Sequence, residues 1–281
     1  MILGLLLARV GLQVTVLESQ PDFDRDFRGD TLHASTLEML DQIGLADPVL
    51  EIPLAKLREM SLNAGDRSFR LADFSRLPSA FPYIAIMSQA EFLELLANEA
   101  GRYPGFRCLT SAAAVDLEKT NGRVSGVHYR HAGGTHLLTA RLVIAADGRF
   151  SRVRKIAGLA AEERAAPMDV CWFRLPRLPE DGFDAGGFFI GHGRMLICIP
   201  RVGEWQIGYV FPKGDFQQVR ERGIEAFRAD IASTVPWLAD RSAGINDFAD
   251  IHLLNVKADC LREWHQDGLL LIGDAAHVMS P

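Results

Sequence analysis

The chain closes on Leu269-Leu270-Leu271-Ile272-Gly273-Asp274-Ala275-Ala276-His277-Val278-Met279-Ser280-Pro281, an apolar run that breaks at Gly-Asp. Four apolar residues followed by a glycine read as a buried strand and its stop. The carboxylate that follows, with small residues fit to open a helix, aims one acid at a ligand hydroxyl beside a helix N-terminus. That arrangement belongs to α/β folds that bind at the carboxyl ends of parallel strands, and the chain stops inside it.

The same formula stands at the other end. Ile2 to Val10 is an apolar, helix-like run with Arg9 near its end, Gly11 is a C-terminal stop, and Val14-Thr15-Val16-Leu17 is a short β-branched strand closing on Glu18. In a dinucleotide-binding β-α-β unit an acid at the end of the second strand accepts hydrogen bonds from the adenosine ribose, about 20 residues beyond a glycine-rich turn. Counted back from Glu18, that turn falls at or before Met1. The sequence therefore reads as a fragment lacking the first strand and its phosphate-binding glycines.

With 281 residues, 48% of them apolar, the chain is long enough for one large or two interleaved domains. Its net charge is −6 and its basic residues are scattered, which gives no footprint for nucleic acid. The apolar start is too short to span a bilayer and carries neither basic leader nor cleavage site, so no transmembrane segment or secretion signal is expected. Cys108, Cys171, Cys198 and Cys260 lie far apart with no C-x-x-C spacing. They read as small buried hydrophobes of a reducing compartment, with no metal site, and the cytoplasm is the expected location.

Between the ends, helix and strand signals alternate and then turn strand-rich. Ser35 to Ile43 has Leu37, Leu40 and Ile43 at helical spacing, with Ser35 as cap and Glu38 three residues on. Ser88 to Ala100 repeats the formula with Ser88, Glu91 and a face of Phe92, Leu95, Leu96 and Ala100. Ala112–Leu117, Val124–Tyr129 and His136–Ala145 follow as a meander turning at Asn121-Gly122 and Gly133-Gly134, its last strand running out to Asp147-Gly148. A second set of strands covers Val170–Phe173, Gly187–Ile190, Met195–Ile199 and Trp205–Val210, with Pro200–Glu204 as a five-residue hairpin loop. Gln217–Ser233 reads as one amphipathic helix with Val219, Ile224, Phe227 and Ile231 inward. A sheet domain inserted between two pieces of a cofactor domain explains this order.

Four elements, taken in order, carry a family resemblance. They are Glu18; the segment Arg25-Asp26-Phe27-Arg28-Gly29-Asp30-Thr31-Leu32-His33 before a helix; Val143-Ile144-Ala145-Ala146-Asp147-Gly148-Arg149-Phe150-Ser151-Arg152-Val153-Arg154; and Gly273-Asp274-Ala275-Ala276-His277 with Pro281. The chain resembles the single-component FAD-dependent aromatic hydroxylases, the class A flavoprotein monooxygenases that include para-hydroxybenzoate hydroxylase, phenol hydroxylase and the polyketide hydroxylases. The resemblance implies an α/β, FAD/NAD(P)-binding Rossmann-like domain of the glutathione-reductase type with an inserted β-sheet substrate domain. Residues 1–75 and 86–165 are expected to bind FAD, 76–85 and 166–258 to form the substrate sheet, and 259–281 to return to the FAD domain.

It also implies roles. Glu18 would hold the adenosine ribose, Arg28 would offer a planar fork to the pyrophosphate or ribityl side, and Gln89 would face the ribityl chain. Asp147-Gly148 would lie near the pyrophosphates and assist NAD(P)H docking, with Arg149, Arg152 or Arg154 completing the network. Asp274, after Gly273, would accept from a ribityl hydroxyl, and Pro281 would start the segment over the flavin ring. Read as residues alone, Gln89 is equally a surface-helix residue, and Asp147 is a helix N-cap in competition with Ser151. His277, one turn into the expected helix, reads as a packing or flavin-neighbour residue rather than a base, and His33 as structural or site-lining in equal measure.

The implied reaction is reduction of FAD by NADPH or NADH, formation of a flavin C4a-hydroperoxide with O2, and oxygen transfer to a small-molecule aromatic substrate. Because the cofactor carries this chemistry, no catalytic triad or metal cluster is expected, and no catalytic residue is assigned. Trp172, Phe173, Phe188, Phe189, Trp205 and Tyr209 supply apolar surface for the substrate, with alternation sending some into the core. Three other readings compete. A flavin-dependent halogenase shares the cofactor domain, but Trp172-Phe173-Arg174-Leu175-Pro176 departs from the halogenase Trp-x-Trp-x-Ile-Pro motif. A nicotinamide dehydrogenase would use Glu18 but leaves Gly273-Asp274 unexplained, and a non-catalytic protein or inactive fragment would keep the fold without the flavin.

Overall fold

Gly11, at φ +84°, ends the first helix, Ile2–Arg9, as the sequence predicts, because a residue without Cβ takes this left-handed turn freely. The structure, a computed structural model, describes residues 1–24, 31–181 and 185–279. After Gly11 the chain returns as the strand Val14–Leu17, which pairs in parallel with Phe106–Leu109. The helix lies close to this pair at Gly4, where an added Cβ would stand 3.0 Å from Val16 Cγ2 and 3.2 Å from the Phe106 ring.

Two compact units divide the chain. One holds Met1–Asp24, Leu93–Ala166 and Lys257–Pro281; the other holds Arg25–Phe92 and Pro167–Val256. The expected functional boundaries placed most of residues 25–75 with the cofactor domain. In the structure, Glu59–Ala64 and Arg67–Asp73 extend the large sheet of the second unit and draw that segment to it.

In the first unit, Ala113–Thr120, Arg123–His131 and Gly134–Thr139 form the expected antiparallel meander. Its first turn is Asn121-Gly122, both at positive φ, as two-residue hairpins require. The second turn is Ala132-Gly133, not Gly133-Gly134, since Gly134 already pairs with His131. The single strand expected over 136–145 is two. Gly134–Thr139 stays in the meander, and after a break Val143–Ala145 pairs in parallel with Leu269–Leu271, Ala145 opposite Leu271. The whole of residues 167–256 is inserted between these two parallel partners. Leu117, Val124, Ala145, Val153, Leu261, Leu269 and Leu271 form the core beneath them.

The second unit is built on seven strands in the order His252–Leu254, Met168–Pro176, Glu204–Pro212, Arg194–Pro200, Ala185–Gly191, Glu59–Ala64 and Arg67–Asp73. Neighbours are antiparallel except Ala185–Gly191 with Glu59–Ala64. The hairpin loop after Pro200 is three residues, Arg201–Gly203, because the next strand already begins at Glu204. The helix expected over 217–233 is two, Phe216–Glu221 and Gly223–Thr234, broken where Gly223 takes φ +83°. Val219, Phe227 and Ile231 nevertheless point into the core as the periodicity predicts. Each such fully buried side chain contributes about 1.5–3 kcal/mol.

Helix Gln89–Gly101 begins as expected, with Ser88 Oγ accepting from the Glu91 N–H at 3.4 Å. The helix Ala34–Gln42 does not. His33 is its N-cap residue and makes no side-chain cap bond, and Ser35 falls inside the first turn, where its hydroxyl cannot cap. Leu37 and Leu40 are buried as predicted. Among the described residues no helix is long and apolar enough to cross a membrane.

Candidate functional site

Two carboxylates leave the carboxyl ends of adjacent parallel strands. Val143–Ala145 leads to Asp147-Gly148, and Leu269–Leu271 leads to Gly273-Asp274. The Ile272 N–H donates to the Ala145 carbonyl at 2.9 Å and holds the two exits side by side. Parallel pairing of apolar strands is what brings residues so far apart in sequence to one edge.

The two acids are in different states. Asp147 Oδ1 accepts from the Ser151 hydroxyl at 2.5 Å, and Oδ2 accepts from the Val153 N–H at 3.0 Å. Ser151 is in turn the N-cap of Arg152–Ile156 and accepts from the Arg154 N–H at 2.9 Å. Asp147 and Ser151 therefore share the capping of one short helix, where the sequence had set them in competition. Asp274 is exposed and makes no hydrogen bond among the described residues.

The segment around Asp274 also differs from the helix expected there. Gly273–Ala275 is a single 3-10 turn, and His277–Val278 is a short strand paired with Asp259 and Cys260. The pairing consumes backbone groups that a helix would have used. His277 is stacked on Trp264 with ring centroids 4.9 Å apart, the packing reading of that residue.

Gly148 and Gly273 take φ of +80° and +57°. No atom of the described residues lies within 4 Å of where a Cβ would stand on either, so the backbone at both strand exits has room beside it for a ligand. Of the three arginines named from sequence, Arg154 is committed. It pairs with Asp259 at 3.2 Å, both side chains nearly buried, and donates to the Arg149 carbonyl. Asp259 carries no sequence signal for this role, since it lies far along the chain from Arg154. Arg152 is exposed and has no partner among the described residues.

Glu18 is half-buried at the end of Val14–Leu17 in the same compact unit. Its Oε1 accepts from the Gln20 N–H at 2.8 Å and the Ser19 hydroxyl at 3.3 Å. Burial, together with the negative charge of Glu18, pushes the Cys108 thiol up from its ordinary pKa. Gln89 is half-buried at the start of its helix, in the other unit. Arg28 and Pro281 lie outside the described residues.

The six aromatic residues of the large sheet named from sequence divide by face. Phe173, Phe189, Trp205 and Tyr209 belong to the helix-covered core, with Phe173 and Tyr209 in ring contact with Phe227 at 5.5 and 4.8 Å. Register places Trp172, Gly208, Ile197 and Phe188 in one row on the opposite face. The Trp172 ring lies over Gly208, only 3.0 Å from the position of an added Cβ. The alternation that the sequence left unassigned is decided by which face the helices cover.

Acceptor carboxylates at Asp274 and Glu18, with open glycine backbone at Gly148 and Gly273, form a set of groups suited to the ribose and ribityl hydroxyls of a flavin dinucleotide. The chain matches the FAD binding domain family over residues 1–281. It belongs to that family. FAD is the cofactor this family binds, and the fold is the expected α/β flavin-binding fold.

Among curated relatives, 6-methylpretetramide 4-monooxygenase of Streptomyces rimosus is 31% identical over 285 residues, 99% of this chain and 67% of that protein. PqsL of Pseudomonas aeruginosa, solved in complex with 2-aminobenzoylacetate, superposes with a TM-score of 0.83 at 19% identity, covering 100% of this chain and 77% of that one. The myxobacterial FAD-dependent halogenase CndH superposes with a TM-score of 0.82 at 20% identity, covering 99% and 66%. The chain spans about half to two thirds of the length of the curated relatives it matches.

Proposed function

We propose that the protein is an FAD-dependent monooxygenase that uses NADPH or NADH and O2 to hydroxylate a small aromatic or polyketide-like substrate. The observation that carries this reading is Asp274. It is a carboxylate with no partner among the described residues, at a parallel strand end beside the Asp147-Gly148 exit, in a chain that matches an FAD-binding family from end to end. FAD, when bound, supplies the redox and oxygen-activating chemistry.

The protein's own residues bind and orient. Asp274 accepts from a ribityl hydroxyl and Glu18 from the adenosine ribose. Gly148 and Gly273 let the dinucleotide approach the backbone, and Asp147 acts behind them by fixing Ser151 and the Arg152–Ile156 helix. Gln89 lies in the other compact unit and carries no part of this argument. The row of Trp172, Ile197 and Phe188, on the face opposite the helix-packed core, offers the apolar surface an aromatic ring requires.

The test is purification for flavin absorbance, then NAD(P)H oxidation across a panel of phenols and aromatic polyketides under isotopically labelled oxygen. Labelled oxygen in the product supports the reading. A product that instead requires chloride or bromide would identify a halogenase, and protein that neither holds nor responds to FAD would overturn the reading altogether.

A further inference from the structure

A cleft of about 460 Å³ opens in the sheet-bearing unit between the strand Leu54–Leu57, the segment Arg177–Pro179 and the hairpin loop Arg201–Gly203. Three separate segments each bring one cation to it: Lys56, Arg177 and Arg201. The rest of its wall is apolar side chain and backbone, chiefly Leu54, Leu178 and Val202, and no carboxylate among the described residues lines it.

The cations are held from behind. Lys56 Nζ stands 4.8 Å from the centroid of the Tyr83 ring, and the Arg177 guanidinium stands 5.1 Å from that of Trp205. Arg177 Nη1 also donates to the Arg201 carbonyl at 3.1 Å, which ties two walls of the cleft together. For Lys56 the aromatic face holds the cation in place without cancelling its charge. Arg201 is more fully matched, donating to Glu204 at 3.0 Å and to Gln206 at 3.2 Å. A smaller recess of about 140 Å³ shares Arg201 and Val202 and is lined in addition by Glu91 and Glu204, so the two carboxylates border that recess and not the larger cleft.

We propose that the larger cleft binds an aromatic ligand bearing one anionic group, a carboxylate or an ionised phenol or enol. The ring lies against Leu54, Leu178 and Val202, and the anion faces Lys56 and Arg177. A space of this size suits a drug-sized molecule with a few polar anchors. The same cations would also meet the phosphate of a nicotinamide dinucleotide, but the mostly apolar wall favours the ring acid. The inference rests on the cleft alone and not on the flavin chemistry.

Calorimetric titration of the oxidised, flavin-loaded protein tests it with three probes: 1-hydroxy-2-naphthoate, its uncharged relative 1-naphthol, and NADP+. The acid is expected to bind more tightly than 1-naphthol, and Lys56→Met to weaken the acid about tenfold or more while leaving 1-naphthol unchanged. Lys56→Arg restores the acid. Val202→Glu, on an exposed loop tip, weakens the acid without touching the core and so separates charge from folding. Equal affinity for acid and naphthol overturns the proposal. So does an acid affinity indifferent to both variants, or tight NADP+ binding that Lys56→Met abolishes while the acid is unaffected. Because no turnover is measured, none of these outcomes bears on the monooxygenase reading.

Discussion

Asp147 and Asp274 stand at the ends of adjacent parallel strands, yet the first is saturated by Ser151 and Val153 and the second is bonded to nothing among the described residues. Two acids of similar sequence context therefore divide the work at this edge. One secures the protein's own helix, and the other is the acceptor that the proposed function assigns to the flavin. Substituting each in turn separates the roles.

Asp147→Ala removes the acceptor for one hydroxyl and one backbone N–H at a helix start, and is expected to lower apoprotein stability by about 1–2 kcal/mol. Urea unfolding of the flavin-free protein measures this. An unchanged midpoint would show that the capping contacts contribute nothing and return Asp147 to a direct cofactor role.

Asp274→Ala should leave the apoprotein midpoint unchanged and weaken FAD by roughly ten- to a hundredfold, the loss of one charge-assisted hydrogen bond of about 1.5–3 kcal/mol. Flavin titration by fluorescence quenching reads the affinity directly. Normal affinity would remove Asp274 from the cofactor site.

The sheet unit contains a buried ion pair whose loss should be severe. Asp181 accepts from Arg241 at 2.5 and 2.8 Å, from Trp205 Nε1 at 2.8 Å and from the Leu178 N–H at 2.9 Å. Asp181→Ala leaves the Arg241 charge buried without its partner and should cost about 3–5 kcal/mol. The double replacement Asp181→Leu with Arg241→Leu should recover much of that, and a double variant as unstable as the single one would contradict the argument.

Acid unfolding of this unit follows from Asp169, Asp181 and Asp230. Burial pushes each carboxyl up. Hydrogen bonds from Lys213, Gly214 and Val256 to Asp169, from Arg241 and Trp205 to Asp181, and from Arg222, Tyr209 and Arg194 to Asp230 more than offset it. All three titrate below the ordinary carboxylate range in the folded state. The stability they add is fully present above the unfolded value near pH ~3.9 and is lost as pH falls through the lower folded values. Asp230→Asn should be less stable at neutral pH and show a shallower decline in acid. A decline as steep as that of the parent protein would mean the carboxylate is not the source.

Gly268 takes φ +78° in the turn that feeds Leu269–Leu271, and a Cβ there would meet the Val124 carbonyl oxygen at 2.0 Å. Gly268→Ala combines roughly 1–2 kcal/mol of left-handed strain with a backbone clash that no side-chain rotation relieves. Reduced soluble yield and a lowered melting temperature are expected, with FAD retention falling as the acid-bearing strand shifts.

Much of the frame was local and therefore legible. Gly11 after an apolar helix, the β-branched run ending on Glu18, the capping Ser88 with Glu91, and the Leu269–Leu271 strand breaking at Gly273 each depend on residues within a few positions of one another. The strands Glu59–Ala64 and Arg67–Asp73, absent from the expected elements, also carry a local signal, the Gly65-Asp66 turn between them. What sequence alone determined was the set of strand-end acids and glycines and the flavin-binding class they point to. Only the tertiary structure decided which acid is committed, Asp147 to Ser151 and Val153, and which has no partner among the described residues, Asp274. It alone also paired Arg154 with Asp259 and sent Phe173, Trp205 and Tyr209 to the core face while Trp172 and Phe188 took the other. The physical reason is that side-chain hydrogen bonds and sheet faces are settled by which distant segments pack together, and that information is absent from the spacing of residues along one strand or helix.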